Sequence, residues 1–225
     1  MKIQARASHV SLMNRNIIHQ RWRRFLCLVV LIAGIALSLP IKADENTPIH
    51  IVEAFHVTLL MTMQSAKALG YKGRYGKLAP VIERRFHLPL MVQVATGSYW
   101  KKATEKQRDL LVGAFSKISI GTYASRFTGY SGQTFVTLGR RDGPQQTILV
   151  KTKIANPSGK DVELTYVTRL IKGTWRIIDV LLDTGISELA VRRSEYRRIL
   201  KSKGIDGLIS ILDGKAAALR KAATG

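Results

Sequence analysis

The sequence is short of cysteine and of acids. It has one cysteine, Cys27, and 15 Asp and Glu against 36 Lys and Arg, a formal charge of +21 over 225 residues. A single thiol excludes an internal disulfide, and its place in the first 43 residues leaves the rest of the chain without thiol chemistry. Aromatics make up only 7% and are scattered over the candidate helices and strands, without the platform on which single-stranded nucleic acid stacks. Long apolar runs are missing too. The longest, residues 25–39, is about fifteen residues, too short to span a bilayer comfortably.

That run follows a front carrying Lys2, Arg6, Arg15, Arg21, Arg23 and Arg24 and no acid, and it precedes Lys42-Ala43-Asp44. A basic front, an apolar core and a small residue describe a secretory signal peptide over 1–43, cleaved after Ala43. The alternative is a retained membrane anchor. Arg23-Arg24 misses twin-arginine spacing by one, which favours general export. Cys27 stands at the start of the apolar run rather than its end, against a lipoprotein. Localisation is therefore expected to be periplasmic. Residues 44–225 are expected to form a single domain of net charge +14, helical over 47–130, a sheet over 132–184 and helical again over 187–219. Its stability must come from an ordinary apolar core.

Thr47-Pro48 is a cap followed by proline at the first helical position. Val52, Phe55, Leu59, Met63 and Ala66 continue at helical spacing up to Gly70. "GYKGRYGK" reads as a basic loop before a second helix over 78–86, and a short third helix follows Pro89. Thr104-Glu105-Lys106-Gln107 is a capping box opening the longest helix, to about residue 128. Leu110, Leu111, Ala114, Phe115 and Ile118 form one broad face of it, and Ile120, Tyr123 and Phe127 lie on another, so it is expected to be sandwiched between layers. The period then changes to two. Four strands are expected over 134–140, 147–155, 162–171 and 174–183, separated by turn formers and hence an antiparallel meander. Ile148, Val150 and Ile154 share one face of the second, and Val162, Leu164 and Tyr166 one face of the third. Ser187 caps the next helix, with Ile186 and Val191 as a hydrophobic staple. This helix buries Leu189, Tyr196 and Leu200, and Gly204 ends it. A final helix capped by Asp206 carries Leu208, Leu212, Ala216 and Leu219 and frays beyond.

Catalytic and metal patterns are weak. His50 and His56 are six apart on one helix and cannot face a common zinc. No glycine-rich phosphate loop follows a strand, and "GYSGQ" lacks nucleophile-elbow spacing. Asp179 and Asp183 share a strand face but stand roughly 13 Å apart, beyond the separation of paired glycosidase carboxylates. Asp179 alone could act as general base in a small isomerase or hydratase pocket. The plainer reading is a carboxylate hydrogen-bonded to a neighbouring turn. Arg193, Arg197 and Lys201 recur every four residues, joined by Arg198. They form a solvated face that can meet anionic lipid surfaces or dock a partner.

The stretch "LPLMVQVATGSYWKKATEKQRDLLVGAFSKISIGTYASRFTGYSGQTF", with "GTWRIIDVLLDTGIS" and "RRSEYRRILKSKGIDGLISIL", resembles the MlaC family of periplasmic lipid carriers, also known as toluene-tolerance auxiliary proteins. The resemblance spans about residues 47–213 and is closest to the hopanoid-associated HpnM branch. It implies an α+β fold: a four-stranded antiparallel, nuclear-transport-factor-like sheet with N- and C-terminal helices enclosing an apolar cavity. It also implies a monomeric, non-enzymatic carrier with no metal or cofactor. Its cargo would be a phospholipid or hopanoid-type lipid, passed between an inner-membrane transporter complex and an outer-membrane lipoprotein complex, with no nucleic-acid partner. On that reading Tyr123, Phe127, Phe115, Tyr99, Val150, Ile154, Tyr166 and Ile177 are the expected lipid-binding residues, and Arg193, Arg197, Arg198 and Lys201 the expected partner surface. A carrier is needed because a free 16-carbon chain in water costs roughly 13 kcal/mol.

Overall fold

The computed structural model describes residues 46–182 and 185–222. The signal-peptide assignment and Asp183 lie outside these residues. Helix α1 (Pro48–Gln64) starts as its residues require: the Thr47 hydroxyl accepts from the His50 N–H at 3.1 Å, ahead of Pro48. Its stripe of Ile51, Val52, Phe55, Leu59 and Met63 is buried, and it touches all four strands. Asn46, just before it, bonds to residues far along the chain. Its side-chain amide donates to Gly173 O at 2.8 Å and its carbonyl accepts from Trp175 N–H at 2.9 Å, which fastens the turn before the last strand.

Helix α2 (Ala66–Arg85) bends at Gly70, whose φ of 56° an L-residue rarely adopts. Beyond the bend the expected basic loop is helical. Gly73 and Gly76 lower the local propensity, but Tyr71, Leu78 and Ile82 keep helical spacing on a buried face. Arg74 adds two hydrogen bonds, Nε to Ala124 O at 2.8 Å and Nη1 to Ala66 O at 2.9 Å. Tertiary contacts override propensity here. Helix α3 (Leu88–Thr96) is capped by His87 Nδ1, which accepts from Leu90 N–H, and the His87 N–H donates to Ile177 O at 2.9 Å, tying α3 to the sheet. The short α4 (Tyr99–Lys102) leads to α5 (Glu105–Arg126), opened by the capping box with both reciprocal bonds made. Leu111, Ala114, Phe115, Ile118, Ile120 and Ala124 of α5 are buried. Leu110 is not part of the face: it is 48% exposed, one position outside the stripe.

The strands are β1 (Thr134–Gly143), β2 (Thr147–Ala155), β3 (Val162–Ile171) and β4 (Thr174–Leu182), in the order β1-β2-β3-β4 and antiparallel throughout. β1 runs three residues past the expected end and is followed by one 3₁₀ turn, Pro144–Gln146. Val150 lies opposite Tyr166, and Tyr166 opposite Val180. Ile178 is a bulge: Val167 pairs with Asp179 and Thr168 with Ile177. The extra residue lets Ile177 and Val180 both be buried although they are three apart.

Helix α6 (Glu188–Ala222) follows, turned at Gly204 (φ 66°) into two limbs that pack on α3 and α5. Leu189, Tyr196, Leu200, Leu208 and Leu212 are buried, and the helix continues past Leu219 instead of fraying there. Asp206 is engaged sideways by Gln107 Nε2 at 3.0 Å. Ser187 caps the first limb, its Oγ accepting from Ala190 N–H at 2.9 Å. Ile186 and Val191 stay about half exposed, so hydrogen bonds rather than the expected staple hold this corner.

Candidate functional site

Tyr166 lies near the middle of β3, on the face covered by the helices. It is buried, and its hydroxyl lies 2.9 Å from His56 Nε2. The His56 ring stacks on Phe135 at 4.5 Å. Burial lowers the His56 pKa to about 4, so the ring is neutral at ordinary pH, and burial also pushes the Tyr166 phenol well above its usual range. Phe55 of α1 meets Tyr166, Phe86 and Tyr123 edge-on, with centroids 6.2, 5.1 and 5.3 Å away. Phe86, Tyr123 and Tyr166 of this aromatic group line a cavity of about 200 Å³ between the sheet, α5 and the start of α6.

Three sides of that cavity are apolar. Ile82, Phe86, Leu88 and Met91 come from α2, α3 and the turn between them; Ile154, Val162, Leu164, Val180 and Leu182 come from the strands; and Tyr123 and Phe127 stack with centroids 5.9 Å apart. The polar residues gather on one side: Ser119, Thr122 and Arg126 of α5 face Glu188 and Arg192 of α6. Arg126 Nη1 and Glu188 Oε1 pair at 3.9 Å. Burial, then the Glu188 charge, raises the Tyr123 phenol, so it stays protonated.

Of the eight residues expected at the cavity, Tyr123, Phe127, Ile154 and Tyr166 line it. The other four do not. Val150 is covered from the helical side together with its partner Tyr166, and is wholly buried in the core. Ile177 is equally buried beside Phe86, with which it forms a bridge. Phe115 lies below Ser119 on α5, and its ring carries the Arg192 guanidinium at 5.4 Å. Tyr99 sits at the α3–α4 corner, with Lys102 Nζ 5.7 Å from its ring and Arg193 and Arg197 across a small cleft. All four expected surface bases, Arg193, Arg197, Arg198 and Lys201, are exposed.

Asp179 is not at the cavity. Its Oδ1 accepts from Val180 N–H at 2.8 Å and Leu189 N–H at 3.2 Å, and its Oδ2 from Ser187 Oγ at 2.5 Å. The carboxylate thus joins β4 to the first turn of α6, as the plainer reading expected. Sequence reasoning missed His56, Ser119, Glu188 and Arg192. A signal for two of them was present: His56 lies on the α1 stripe, and Ser119 is a polar break between Ile118 and Ile120. Among the described residues no group of three His, Cys, Asp or Glu could hold a metal, and no helix is long and apolar enough to cross a membrane.

Comparison with known proteins places this geometry. The phospholipid-binding protein from Ralstonia solanacearum, solved in complex with a phospholipid, superposes with a TM-score of 0.67 at 21% identity, over 76% of this chain and 97% of that one. It shares the fold. The family model described as MlaC protein matches residues 54–213, well over half the chain, and the chain belongs to the MlaC family.

Proposed function

We propose that the protein is a lipid carrier, holding acyl chain in the cavity between α5 and the sheet. The observation that carries this reading is a pocket with apolar walls whose polar residues are confined to one side, the distribution an amphiphile needs. Family membership and the fold shared with a phospholipid-binding protein support it. As it stands the cavity holds only part of a chain: a cavity of about 150 Å³ takes one benzene. Loading a whole chain therefore requires the cavity walls to yield. The role within the cell is transfer through the periplasm between an inner-membrane transporter and an outer-membrane lipoprotein complex, reached by removal of residues 1–43. A hopanoid-type cargo belongs to the same proposal as the alternative to phospholipid. The enzyme reading draws nothing from Asp179, whose two oxygens are occupied at the β4–α6 joint.

The test is to purify the protein without detergent, extract it and identify bound lipid by mass spectrometry. Lipid is expected to copurify. A lipid-free protein that also takes up no chain-labelled phospholipid from vesicles ends the carrier reading.

A further inference from the structure

The side of α5 turned away from the lipid cavity borders a second hollow. Lys117 and Gly121 are each two residues from a cavity residue, Ser119 and Tyr123, and so stand about 200° round the helix from it. There α2, α5 and the last turns of α6 enclose a groove of about 810 Å³, and no residue lines both it and the cavity. Its volume falls in the ~300–1,000 Å³ of small-molecule sites. Gly121 lets the helices meet behind it: a Cβ there would stand 2.9 Å from Tyr71 Oη and 3.4 Å from Leu219 Cδ1. The α6 wall is kept low by Ala216 and Ala217, which with Arg220 follow residue 213, where the match to the family model ends.

The floor of the groove is aromatic. Tyr71 is buried, Tyr75 is half-buried, and their rings stand 6.1 Å apart at a tilt of 40°. Burial raises both phenols, so they face the groove as donors and not as anions. Neither makes a hydrogen bond among the described residues. The rim is cationic. Lys72, Lys117 and Arg220, all exposed, line it against a single acid, Asp213. That acid is already engaged, with Lys117 Nζ 2.9 Å from its Oδ1. Lys72 makes no ion pair among the described residues, and the Arg220 charge is close enough to bear on the Tyr71 phenol.

We propose that this groove is a second binding site, for a small organic anion with an aromatic body. The rings of the ligand pack on Tyr71 and Tyr75, and its carboxylate or sulfonate pairs with Lys72 and Arg220 at the rim. Both halves are needed. An acidic group alone meets only exposed cations, which are worth little in water. A neutral ring alone gains burial and offset ring packing but nothing that fixes its orientation. Joined, the ring brings the anion against the rim in a partly dry groove, where the guanidinium fork of Arg220 suits a planar oxyanion. The inference does not depend on the carrier reading, since no residue of the lipid cavity takes part.

The experiment uses two fluorescent dyes with one ring body: 8-anilinonaphthalene-1-sulfonate, which carries an anion, and N-phenyl-1-naphthylamine, which lacks it. Each is titrated into the protein before and after equilibration with phosphatidylcholine vesicles, and the binding that lipid does not displace is read. Wild type is expected to bind the sulfonate dye roughly tenfold more tightly than the neutral one, the scale of a charge-assisted hydrogen bond. Ala217→Trp fills the groove and should remove this binding of both dyes. Lys72→Gln combined with Arg220→Gln should bring the preference close to one while the neutral dye still binds. Arg193→Gln combined with Arg197→Gln makes the same charge change elsewhere on the surface and should leave the preference as it is. Both double variants alter exposed side chains only, so they decide the matter should Ala217→Trp fold poorly. Full sulfonate-dye binding by a folded Ala217→Trp overturns the site, as does complete displacement of the dye by phospholipid. An equal fall of the preference in both double variants reduces it to net charge and overturns the site too. A wild-type preference near one refutes the anionic class of ligand.

Discussion

Replacing Asp179 tests whether its carboxylate is scaffold or chemistry. Asp179→Ala removes the acceptor of three hydrogen bonds, from Val180 N–H, Leu189 N–H and Ser187 Oγ. Bonds to a charged acceptor contribute about 1.5–3 kcal/mol each, but the three share one group and do not add, so the net loss is about 3 kcal/mol. Asp179→Asn is milder. Its carbonyl can keep both backbone N–H groups, and its amide can donate to Ser187 Oγ, which has lone pairs to accept; only the serine proton and the charge lose their partner. That costs about 1 kcal/mol. In a domain of this size 1 kcal/mol moves Tm by roughly 2–4 °C. Asp179→Ala should therefore melt about 6–12 °C below wild type and Asp179→Asn about 2–4 °C below. The melts are followed by circular dichroism on delipidated protein, because bound ligand raises Tm by mass action. Lipid uptake measured well below either midpoint should be unchanged in both. Wild-type melting by Asp179→Ala, or full stability with lost ligand handling in Asp179→Asn, refutes the scaffold role.

Two other perturbations address the cavity. His56 is neutral when folded, with a pKa of about 4 against an ordinary 6.5. The unfolded chain therefore binds the extra proton first, and stability is full above pH 6.5 and lost as pH falls towards 4. The loss is on the order of 3 kcal/mol, and His56→Gln should flatten that limb of the stability curve in urea melts. A wild-type curve flat between pH 6.5 and 4 would contradict the buried neutral ring. Tyr123 both lines the cavity and meets Phe55, Phe86 and Phe127, with centroids 5.3–6.0 Å away, so Tyr123→Glu should lose stability, at about 0.5–1.5 kcal/mol per ring pair, and lipid occupancy together. Tyr123→Phe should lose little of either; a folded glutamate variant with full occupancy removes Tyr123 from the pocket.

The elements were legible where one local signal dominated. Thr47-Pro48, the Thr104–Gln107 box and the turn formers between strands each mark a boundary through chemistry confined to a few residues. The helix through Gly73 and Gly76 was not legible, because what secures it, Arg74 donating to Ala124 O and Ala66 O, is a contact across 50 residues on one side and a bend on the other. Half of the expected pocket residues misplaced their side chains for a related reason. Alternation identifies the inner face of a strand, but not how far along it the helices stop covering that face. Val150 and Ile154 share a face of β2, yet only Ile154 emerges from the core. The bulge at Ile178 left no mark in composition. It appears only as a change of partner, and it decides which residues of β4 face inward.

The Asn46 clamp bears on the order in which the chain assembles. Asn46 is the first described residue of the domain, and its partners, Gly173 and Trp175, stand 127 and 129 positions later. The His56–Tyr166 bond spans 110 positions. Contacts of such separation form late, because loop-closure entropy must be lost before they do. A chain delivered N-terminus first can cover α1 in part with α2 and β1, but the side of α1 that meets β3 and β4 waits for the last hairpin. Completion of the core is then limited by the emergence of residue 175, and a stall before that point leaves the side of α1 that meets β3 and β4 open to aggregation.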